Sequence, residues 1–399
     1  MRLRHSLLCL TLAAAPVYAT DITFWDTPQR GGNSMNMSPP DRAYFDALRA
    51  TGATWVRLVP DKWKGQGGRD FLIGNADDYR GLVPADLATL RRVLDDADAA
   101  GLNVVLTPLS LPLLRWKQHN GDKVDPRLWQ SFDNHVPARR FWSDLATALK
   151  GHPALAAYNL INEPVPEYGA GLAEHASAEA MRRWYTGVQD GPRDLRRFYS
   201  ELIASIREVD ADMPLMLDAG WYAAADGFNY WPAPLADSKL LYSVHMYEPY
   251  VATSAPNQKR TTPYRYPGVV PFGERSERSE RWDATRVRSY LQQPMDWAKT
   301  HGVGANRMVV GEFGCMRRWP DCRRYLQDVL QVLEQEKVHW AFYAFREDGW
   351  DGMDYELGDS PLPWSYWQAQ EKGKTVAPPR SMKAPVFAPI LERLKAGNR

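Results

Sequence analysis

Residues 137–164 read PARRFWSDLATALKGHPALAAYNLINEP and contain a helix followed by a strand. From Pro137 to Lys150 the apolar side chains recur at helical spacing, and Gly151 directly after them is a typical helix end. Leu155–Asn162 is a short apolar run, which predicts a strand. Such short runs alternate with longer amphipathic segments along the chain, so the sequence predicts a parallel sheet built from βα units.

Eight βα units are predicted. The strands are expected at 22–25, 54–59, 103–107, 155–162, 214–218, 241–245, 308–312 and 340–345. The helices are expected at 41–50, 86–100, 137–150, 193–209, within 223–237, and at 285–300, 321–335 and 385–395. Eight strands, each followed by a helix, indicate a closed (β/α)₈ TIM barrel. An open doubly wound sheet would need a glycine-rich phosphate turn after its first strand. The segment PQRGGNSMN at 28–36 has no G-x-G-x-x-G pattern.

The composition is that of a globular protein, with 44% hydrophobic and 24% charged residues. It excludes a disordered chain, a collagen and a small disulfide scaffold. A length of 399 residues would suit two or three domains, but no linker or internal repeat divides the chain. A single barrel with long βα loops at its C-terminal face therefore fits better. Five long connections are expected, at 60–85, 107–136, 163–192, 246–284 and 346–384.

The N-terminus has the pattern of a signal peptide. Arg2 and Arg4 precede a short apolar segment, and Val17-Tyr18-Ala19 is a typical cleavage signature. We expect residues 1–19 to be removed, the catalytic domain to span 20–399, and the protein to be secreted or periplasmic. Export and an even number of remaining cysteines favour a disulfide between Cys315 and Cys322.

The sequence indicates little about other partners. The formal net charge is +1 and no polybasic tract occurs, so nucleic acid is not an expected partner. Outside the N-terminus no apolar segment is long enough to span a membrane, and a monomer is expected.

Polar residues lie at the C-terminal ends of the predicted strands, where barrels bind their substrates. They are Arg57, Asn162, Glu163, His245, Tyr247 and Glu312. Glu163 and Glu312 end strands four and seven, from which both side chains can lean into one cleft. Paired carboxyl groups flanking a bond are the equipment of glycoside hydrolysis, in which one group must be protonated and the other ionised. Arg57 and Tyr247 are suited to keeping one of them ionised.

The same residues are open to other interpretations. The two glutamates could belong to buried salt bridges, although the polar residues at neighbouring strand ends favour a functional site. No two histidines after the signal peptide lie within ten residues of each other, so no metal and no cofactor is predicted. Ser-His-Asp chemistry is disfavoured because no G-x-S-x-G elbow occurs. A non-catalytic carbohydrate-binding barrel would keep the aromatic residues and lose the glutamates.

The chain resembles glycoside hydrolase family 5, a cellulase-like family in the clan of retaining (β/α)₈ glycosidases. The matching elements occur in the family's order and on the family's strands. They are Arg57 in WVRL, Asn162-Glu163-Pro164, His245 and Tyr247 in SVHMYEPY, and Glu312 in GEFG.

The resemblance implies a role for each matching residue. Glu163 would be the acid/base and Glu312 the nucleophile of a retaining glycosidase. Asn162 would bond the 2-hydroxyl of the sugar, and His245 would bond near the acid/base or the sugar. Arg57 and Tyr247 would position the nucleophile and keep it ionised. An oligo- or polysaccharide with β-linked glucan or related sugars is the expected substrate. Transglycosylation and exo action on a glucoside, mannoside or glycolipid stay open.

Two features depart from the family pattern. The family usually has a histidine after strand three, where this chain has Thr107-Pro108-Leu109-Ser110. It also usually has a tryptophan near the end of strand eight, where WAFYAFRED offers Tyr343 or Phe345, with Trp350 beyond. Both departures leave the identity of the sugar open.

Aromatic residues make up 12% of the chain, and many fall at strand ends or in the long connections. The tryptophans in such places are Trp25, Trp63, Trp116, Trp129, Trp221, Trp231, Trp350 and Trp364. Trp221 and Trp350 are the better candidates for stacking on sugar, together with Tyr343. Packing between loops is the alternative for each ring.

Overall fold

The computed structural model describes residues 21–63, 65–273, 278–374 and 376–397. Eight parallel strands close into a barrel, which confirms the predicted (β/α)₈ fold. The strands are β1 (Arg30–Ser34), β2 (Trp55–Leu58), β3 (Asn103–Leu106), β4 (Leu155–Asn159), β5 (Leu215–Asp218), β6 (Leu240–Met246), β7 (Met308–Phe313) and β8 (His339–Phe342). Each strand pairs with the next, and β8 pairs with β1 to close the ring.

In the part of the chain that the structure describes, helices that follow or precede the strands surround the barrel. They are Arg42–Ala50, Pro84–Ala99, His135–Leu149, Leu195–Arg207, Ala284–Thr300, Cys322–Glu336 and Ala388–Ala396. Several begin at an aspartate whose carboxylate accepts hydrogen bonds from free backbone N–H groups of the first turn, as Asp41, Asp194 and Asp283 do. Their apolar faces pack on the outside of the strands, so one continuous core joins helices and barrel.

The predicted fifth helix within 223–237 is wrong. The segment after β5 forms only the short helix Gly220–Ala223 and a 3₁₀ turn at Gly227–Tyr230. Pro232 and Pro234 prevent a longer helix because proline lacks the backbone donor that a helix interior needs.

The predicted first strand is also wrong. Ile22–Asp26 is a 3₁₀ turn, and Trp25 within it donates its indole N–H to the carbonyl oxygen of Ala156 at 3.1 Å. The fully buried Trp25 ring therefore closes the N-terminal end of the barrel and does not lie on the substrate face. The true β1 contains Gly31 because a Cβ there would come within 2.4 Å of the Trp55 carbonyl oxygen. Because glycine is needed at this position, β1 lacks the run of apolar side chains from which strands are predicted.

The long connections rise from the C-terminal ends of the strands. The connection after β4 contains the helix Ala178–Val188, and the connection after β6 contains an antiparallel hairpin of Gly268–Pro271 and Ser279–Trp282. The connection after β8 contains the helix Trp364–Glu371. These loops raise the wall of the cleft on the face where the predicted site residues lie.

The predicted disulfide is confirmed, since Cys315 and Cys322 are bonded. It joins the segment after β7 to the first residue of the following helix. The predicted signal peptide at residues 1–19 lies outside the described residues. Among the described helices, none has the length and apolar character needed to cross a membrane.

Candidate active site

Glu163 and Glu312 face each other across the C-terminal mouth of the barrel. Glu312 lies within β7, and Glu163 lies in the loop that directly follows β4. A carboxylate oxygen of one lies within 4.8 Å of a carboxylate oxygen of the other. Glu312 is 4% exposed, and the side chain of Glu163 is 15% exposed. The two glutamates singled out in the sequence therefore share one largely desolvated cleft.

Both carboxylate oxygens of Glu312 accept strong hydrogen bonds. Arg57 donates to Oε1 from Nη1 at 2.5 Å, and the Tyr247 hydroxyl donates to Oε2 at 2.7 Å. Burial raises the pKa of Glu312, whereas the charge of Arg57 and the bond from Tyr247 act to lower it. Bonds of this kind favour the ionised carboxylate and fix its orientation.

Three amide side chains hold the buried Arg57 guanidinium in place. Its Nη2 donates to Oδ1 of Asn162 at 2.6 Å and to Oδ1 of Asn159 at 2.7 Å. Its Nη1 also lies 3.3 Å from Oδ1 of Asn33, which the β1–β2 register places beside Arg57. Because the amide oxygen of Asn162 is taken by Arg57, the amide NH₂ of Asn162 is the group left to donate to a ligand.

Glu163 has a different environment. Nδ1 of His245 lies 2.8 Å from its Oε1, and Oδ2 of Asp218 accepts a bond from its backbone N–H at 3.1 Å. Burial, followed by the negative charge of Asp218, raises the pKa of Glu163 to about 8. At neutral pH this carboxyl is therefore mainly protonated, unlike a carboxyl in water.

His245 links the two carboxyl groups. The β6–β7 register places it opposite Glu312, and its Nδ1 lies 3.9 Å from Oε2 of Glu312. Burial lowers the pKa of His245, so the neutral ring is favoured. A protonated Glu163 donates to Nδ1, which puts the ring proton on Nε2, facing Asp218 at 3.6 Å.

The donor atoms of Glu163, His245 and Glu312 also lie close enough together to be considered as metal ligands. The guanidinium of Arg57 already supplies the positive charge that Glu312 requires. A cation between the two glutamates would lie next to that guanidinium, so the donor set is poorly suited to a metal.

The predicted aromatic residues divide into two groups. The Tyr343 ring centre lies 6.4 Å from that of Tyr247 and 6.4 Å from that of Trp350, which is 38% exposed. These rings form a wall on the β8 side of the cleft. On the β5 side, Trp221 is 7% exposed and its backbone N–H donates to Glu167. Its neighbour Tyr222 lines the pocket that contains Asn162 and Glu163.

The remaining candidate tryptophans differ in exposure. Trp63, Trp129 and Trp231 are at most 2% exposed and pack against other aromatic rings, which fits the alternative of loop packing. Trp364 is 66% exposed on the helix Trp364–Glu371. Trp116 lines the same pocket as Tyr222, next to Glu163.

Three polar residues of the site were not identified from the sequence. Asp218 is fully buried, accepts a bond from Asn159, and lies 3.5 Å from Nη2 of Arg57. The sequence does contain a signal for two of them. Asp218 ends the fifth predicted strand, and Asn159 interrupts the apolar run of the fourth. Asn33 carries no such signal, because its strand lacks an apolar run and the sequence predicts the first strand at 22–25 instead.

Comparisons with known proteins identify the family to which the chain belongs. A family model described as cellulase (glycosyl hydrolase family 5) matches residues 19–349. A beta-xylosidase from Phanerodontia chrysosporium is 22% identical over 294 residues, which are 71% of this chain and 53% of that protein. The chain thus spans about half the length of this curated relative.

Solved structures of low identity share the fold. An endoglucanase is 17% identical with a TM-score of 0.61, over 93% of this chain and 99% of that chain. Thermotoga maritima Cel5A in complex with mannotriose is 13% identical with a TM-score of 0.59, over 94% and 99% of the two chains. Because the family model covers most of the sequence and the barrel agrees with it, the chain belongs to the cellulase family, glycosyl hydrolase family 5.

Proposed function

We propose that the protein is a retaining β-glycosidase that hydrolyses a β-linked glucan or related polysaccharide, with Glu312 as nucleophile and Glu163 as acid/base. The approach of their carboxylate oxygens to within 4.8 Å carries the proposal. Retaining glycosidases hold the two carboxyl groups about 5–5.5 Å apart, whereas inverting enzymes leave about 6.5–9.5 Å for a water. The short distance supports direct attack by one carboxylate.

In the first step the ionised Glu312 attacks the anomeric carbon. Glu163 donates its proton to the glycosidic oxygen, the bond between that oxygen and the anomeric carbon breaks, and a glycosyl ester forms on Glu312. The bonds from Arg57 and Tyr247 aim the Glu312 oxygens at the sugar. The NH₂ group of Asn162 is suited to donate to the 2-hydroxyl.

In the second step Glu163 acts as a base. Esterification removes the negative charge of Glu312, which lowers the pKa of the nearby Glu163 because one like charge is lost. The ionised Glu163 then takes a proton from water, the oxygen of that water attacks the anomeric carbon, and Glu312 leaves. Two inversions give net retention.

The walls of the cleft support a chain-like substrate. The rings of Tyr343 and Trp350 lie on the β8 side of the carboxyl pair, and Tyr222 and Trp116 lie on the Glu163 side. Flat sugar faces can stack on both. Structures named for endoglucanase activity and for a mannotriose complex share the fold, so glucan and mannan are the first classes to test. The proposed location is outside the cytoplasm, which suits the disulfide.

A glycan panel tests the proposal. Wild type, Glu163→Ala and Glu312→Ala are compared on β-glucan, β-mannan, xylan and short β-glycosides. Glu208→Ala, an exposed carboxylate on another face, is the control. We expect both active-site variants to lose at least about 10³-fold in kcat on the best substrate, while Glu208→Ala keeps its activity. Wild-type hydrolysis by either active-site variant would refute the assignment.

Product analysis with an added sugar acceptor separates hydrolysis from transglycosylation, and product lengths separate endo from exo action.

A further inference from the structure

A second group of ionisable side chains lies outside the Glu163–Glu312 pair. Glu174 and His175 come from the connection after β4, Asp226 from the connection after β5, and Glu248 from the connection after β6. One ligand atom from each of Glu174, His175 and Glu248 lies within 4.8 Å of the others. Two connections that are far apart in sequence thus bring a nitrogen donor and two carboxylates to one point, and Asp226 from a third connection bonds the far side of the imidazole.

The imidazole of His175 is oriented as in many metal sites. Its Nδ1 lies 3.1 Å from Oδ2 of Asp226, so the N–H at this position donates to a carboxylate. Its Nε2 then points towards Oε1 of Glu248 at 3.7 Å and Oε1 of Glu174 at 3.8 Å. A carboxylate bonded to the far nitrogen of a histidine is the usual way in which proteins orient a histidine ligand.

The two distances from Nε2 are too long for hydrogen bonds, which need about 2.7–3.2 Å. They are close to the separation of ligands around a small cation. With bonds of about 2.0–2.2 Å in tetrahedral geometry, neighbouring ligand atoms lie about 3.3–3.6 Å apart. A slight approach of the two connections that carry Glu174, His175 and Glu248 would bring all three atoms to bonding distance of one ion.

Glu248 supplies an independent indication. The residue is 9% exposed, and its Oε2 accepts a bond from the backbone N–H of Tyr247. Among the described residues, no group donates a hydrogen bond to its Oε1, which faces His175. A largely buried carboxylate is costly unless a positive charge lies beside it, and Oε1 is the oxygen left to face that charge.

We propose that Glu174, His175 and Glu248 form a binding site for Zn²⁺ or a similar first-row divalent cation, with Asp226 orienting His175. Imidazole nitrogen and carboxylate oxygen both bind zinc, and these three protein ligands leave a fourth position for water, as open zinc sites do. Calcium is disfavoured because it takes six to eight oxygen ligands. The ion would tie together the loops after β4 and β6, next to the cleft that holds Glu163.

A proton on Nε2 is the alternative source of positive charge. Burial opposes it, but Asp226, Glu248 and Glu174 raise the pKa of His175 to about 9. The proton and the metal ion compete for the same lone pair, so a direct binding measurement separates the two possibilities.

The test uses the full chain, freed of metal with a chelator and titrated with ZnCl₂ by calorimetry at pH 8. We expect one equivalent of Zn²⁺ to bind to the wild type, and His175→Gln and Glu248→Gln to weaken binding at least tenfold. Asp226→Asn should weaken it about 10–100-fold, as losses of orienting groups do. His152→Gln, on a distant surface, and Glu312→Gln should bind as the wild type does. Circular dichroism checks that each variant is folded.

Two results would overturn the proposal. The first is no zinc binding by the wild type up to about 1 mM, which would assign the site to the proton. The second is binding that survives His175→Gln but is lost in Glu312→Gln, which would place the ion at the catalytic pair. An anomalous diffraction map of zinc-soaked wild-type crystals needs no variant. It should show a peak about 2.0–2.1 Å from Nε2 of His175, and a peak elsewhere alone contradicts the site.

Discussion

Glu163 should set the alkaline limit of activity. Its raised pKa of about 8 keeps the acid protonated at neutral pH, and the proton is lost as the pH rises. For a substrate with a poor leaving group, we expect kcat/KM to fall above about pH 8, by about tenfold for each further pH unit. An activated aryl glycoside, whose leaving group needs no acid, should lack this decline. If Glu163→Gln shows the same decline as the wild type on the poor substrate, another group is responsible.

Asp218 should act on the reaction through Glu163. It lies beside the Glu163 backbone, and its negative charge is the second cause of the raised pKa, after burial. Asp218→Asn keeps an acceptor in place but removes the charge, so the alkaline limit of kcat/KM should move to lower pH. Asp237→Asn, a partly buried aspartate paired with Arg207, is the control and should leave the limit unchanged. An unshifted limit in Asp218→Asn would mean that Asp218 has only a structural role.

Tyr247 should contribute to the chemical step through its bond to the nucleophile. Tyr247→Phe removes a hydroxyl that donates to Glu312 at 2.7 Å. A hydrogen bond to a charged group is worth about 1.5–3 kcal/mol, so kcat should fall about 10–100-fold. Tyr266 makes the same kind of bond to Asp328 far from the cleft, and Tyr266→Phe should keep its kcat. Equal kcat values for the two variants would argue against a nucleophile at Glu312.

At the scale of elements, β1 depends on close packing against β2. Gly31→Ala would place a Cβ 2.4 Å from the Trp55 carbonyl oxygen, a backbone atom that cannot move aside cheaply. We expect the free energy of unfolding to fall by about 3 kcal/mol or more, measured by urea denaturation. Gly187 lies within a helix and has open space where a Cβ would be. Gly187→Ala should therefore raise the free energy of unfolding by about 0.5–1 kcal/mol. A neutral Gly31→Ala would show that β1 can shift away from β2.

The same contrast explains which elements the sequence could predict. Strands such as Met308–Phe313 and Leu240–Met246 have runs of apolar residues that only a buried strand accommodates. Arg30–Ser34 has no such run because neighbouring rings fill the space that its side chains would need. The apolar segment Ile22–Trp25 has the composition of a strand, but it forms a 3₁₀ turn that closes the N-terminal end of the barrel.

At the scale of the molecule, the barrel determines how much of the site can be predicted. Polar residues at the ends of correctly placed strands meet in space because parallel strands end at one face, which is how Arg57, His245 and Glu312 come together. The Glu174–His175–Glu248 cluster could not be predicted, since irregular segments of two separate connections bring its residues together. The sequence also could not tell which tryptophans line the cleft, because Trp350 and Trp231 both lie in connections that follow a strand but only Trp350 is exposed.

Covalent trapping distinguishes a retaining mechanism with Glu312 as nucleophile from the other mechanisms open to a pair of carboxyl groups. The enzyme is incubated with a 2-deoxy-2-fluoro β-glycoside that matches the best substrate of the panel and carries an activated leaving group. The fluorine slows both the formation and the hydrolysis of the glycosyl ester, but the activated leaving group keeps formation fast. The ester on Glu312 therefore accumulates. Mass spectrometry of the digested protein should then find one sugar per chain on Glu312, and none in Glu312→Gln. An unlabelled but active enzyme, a label on another residue, or a first-formed product of inverted anomeric configuration would show that Glu312 is not the nucleophile of a retaining enzyme.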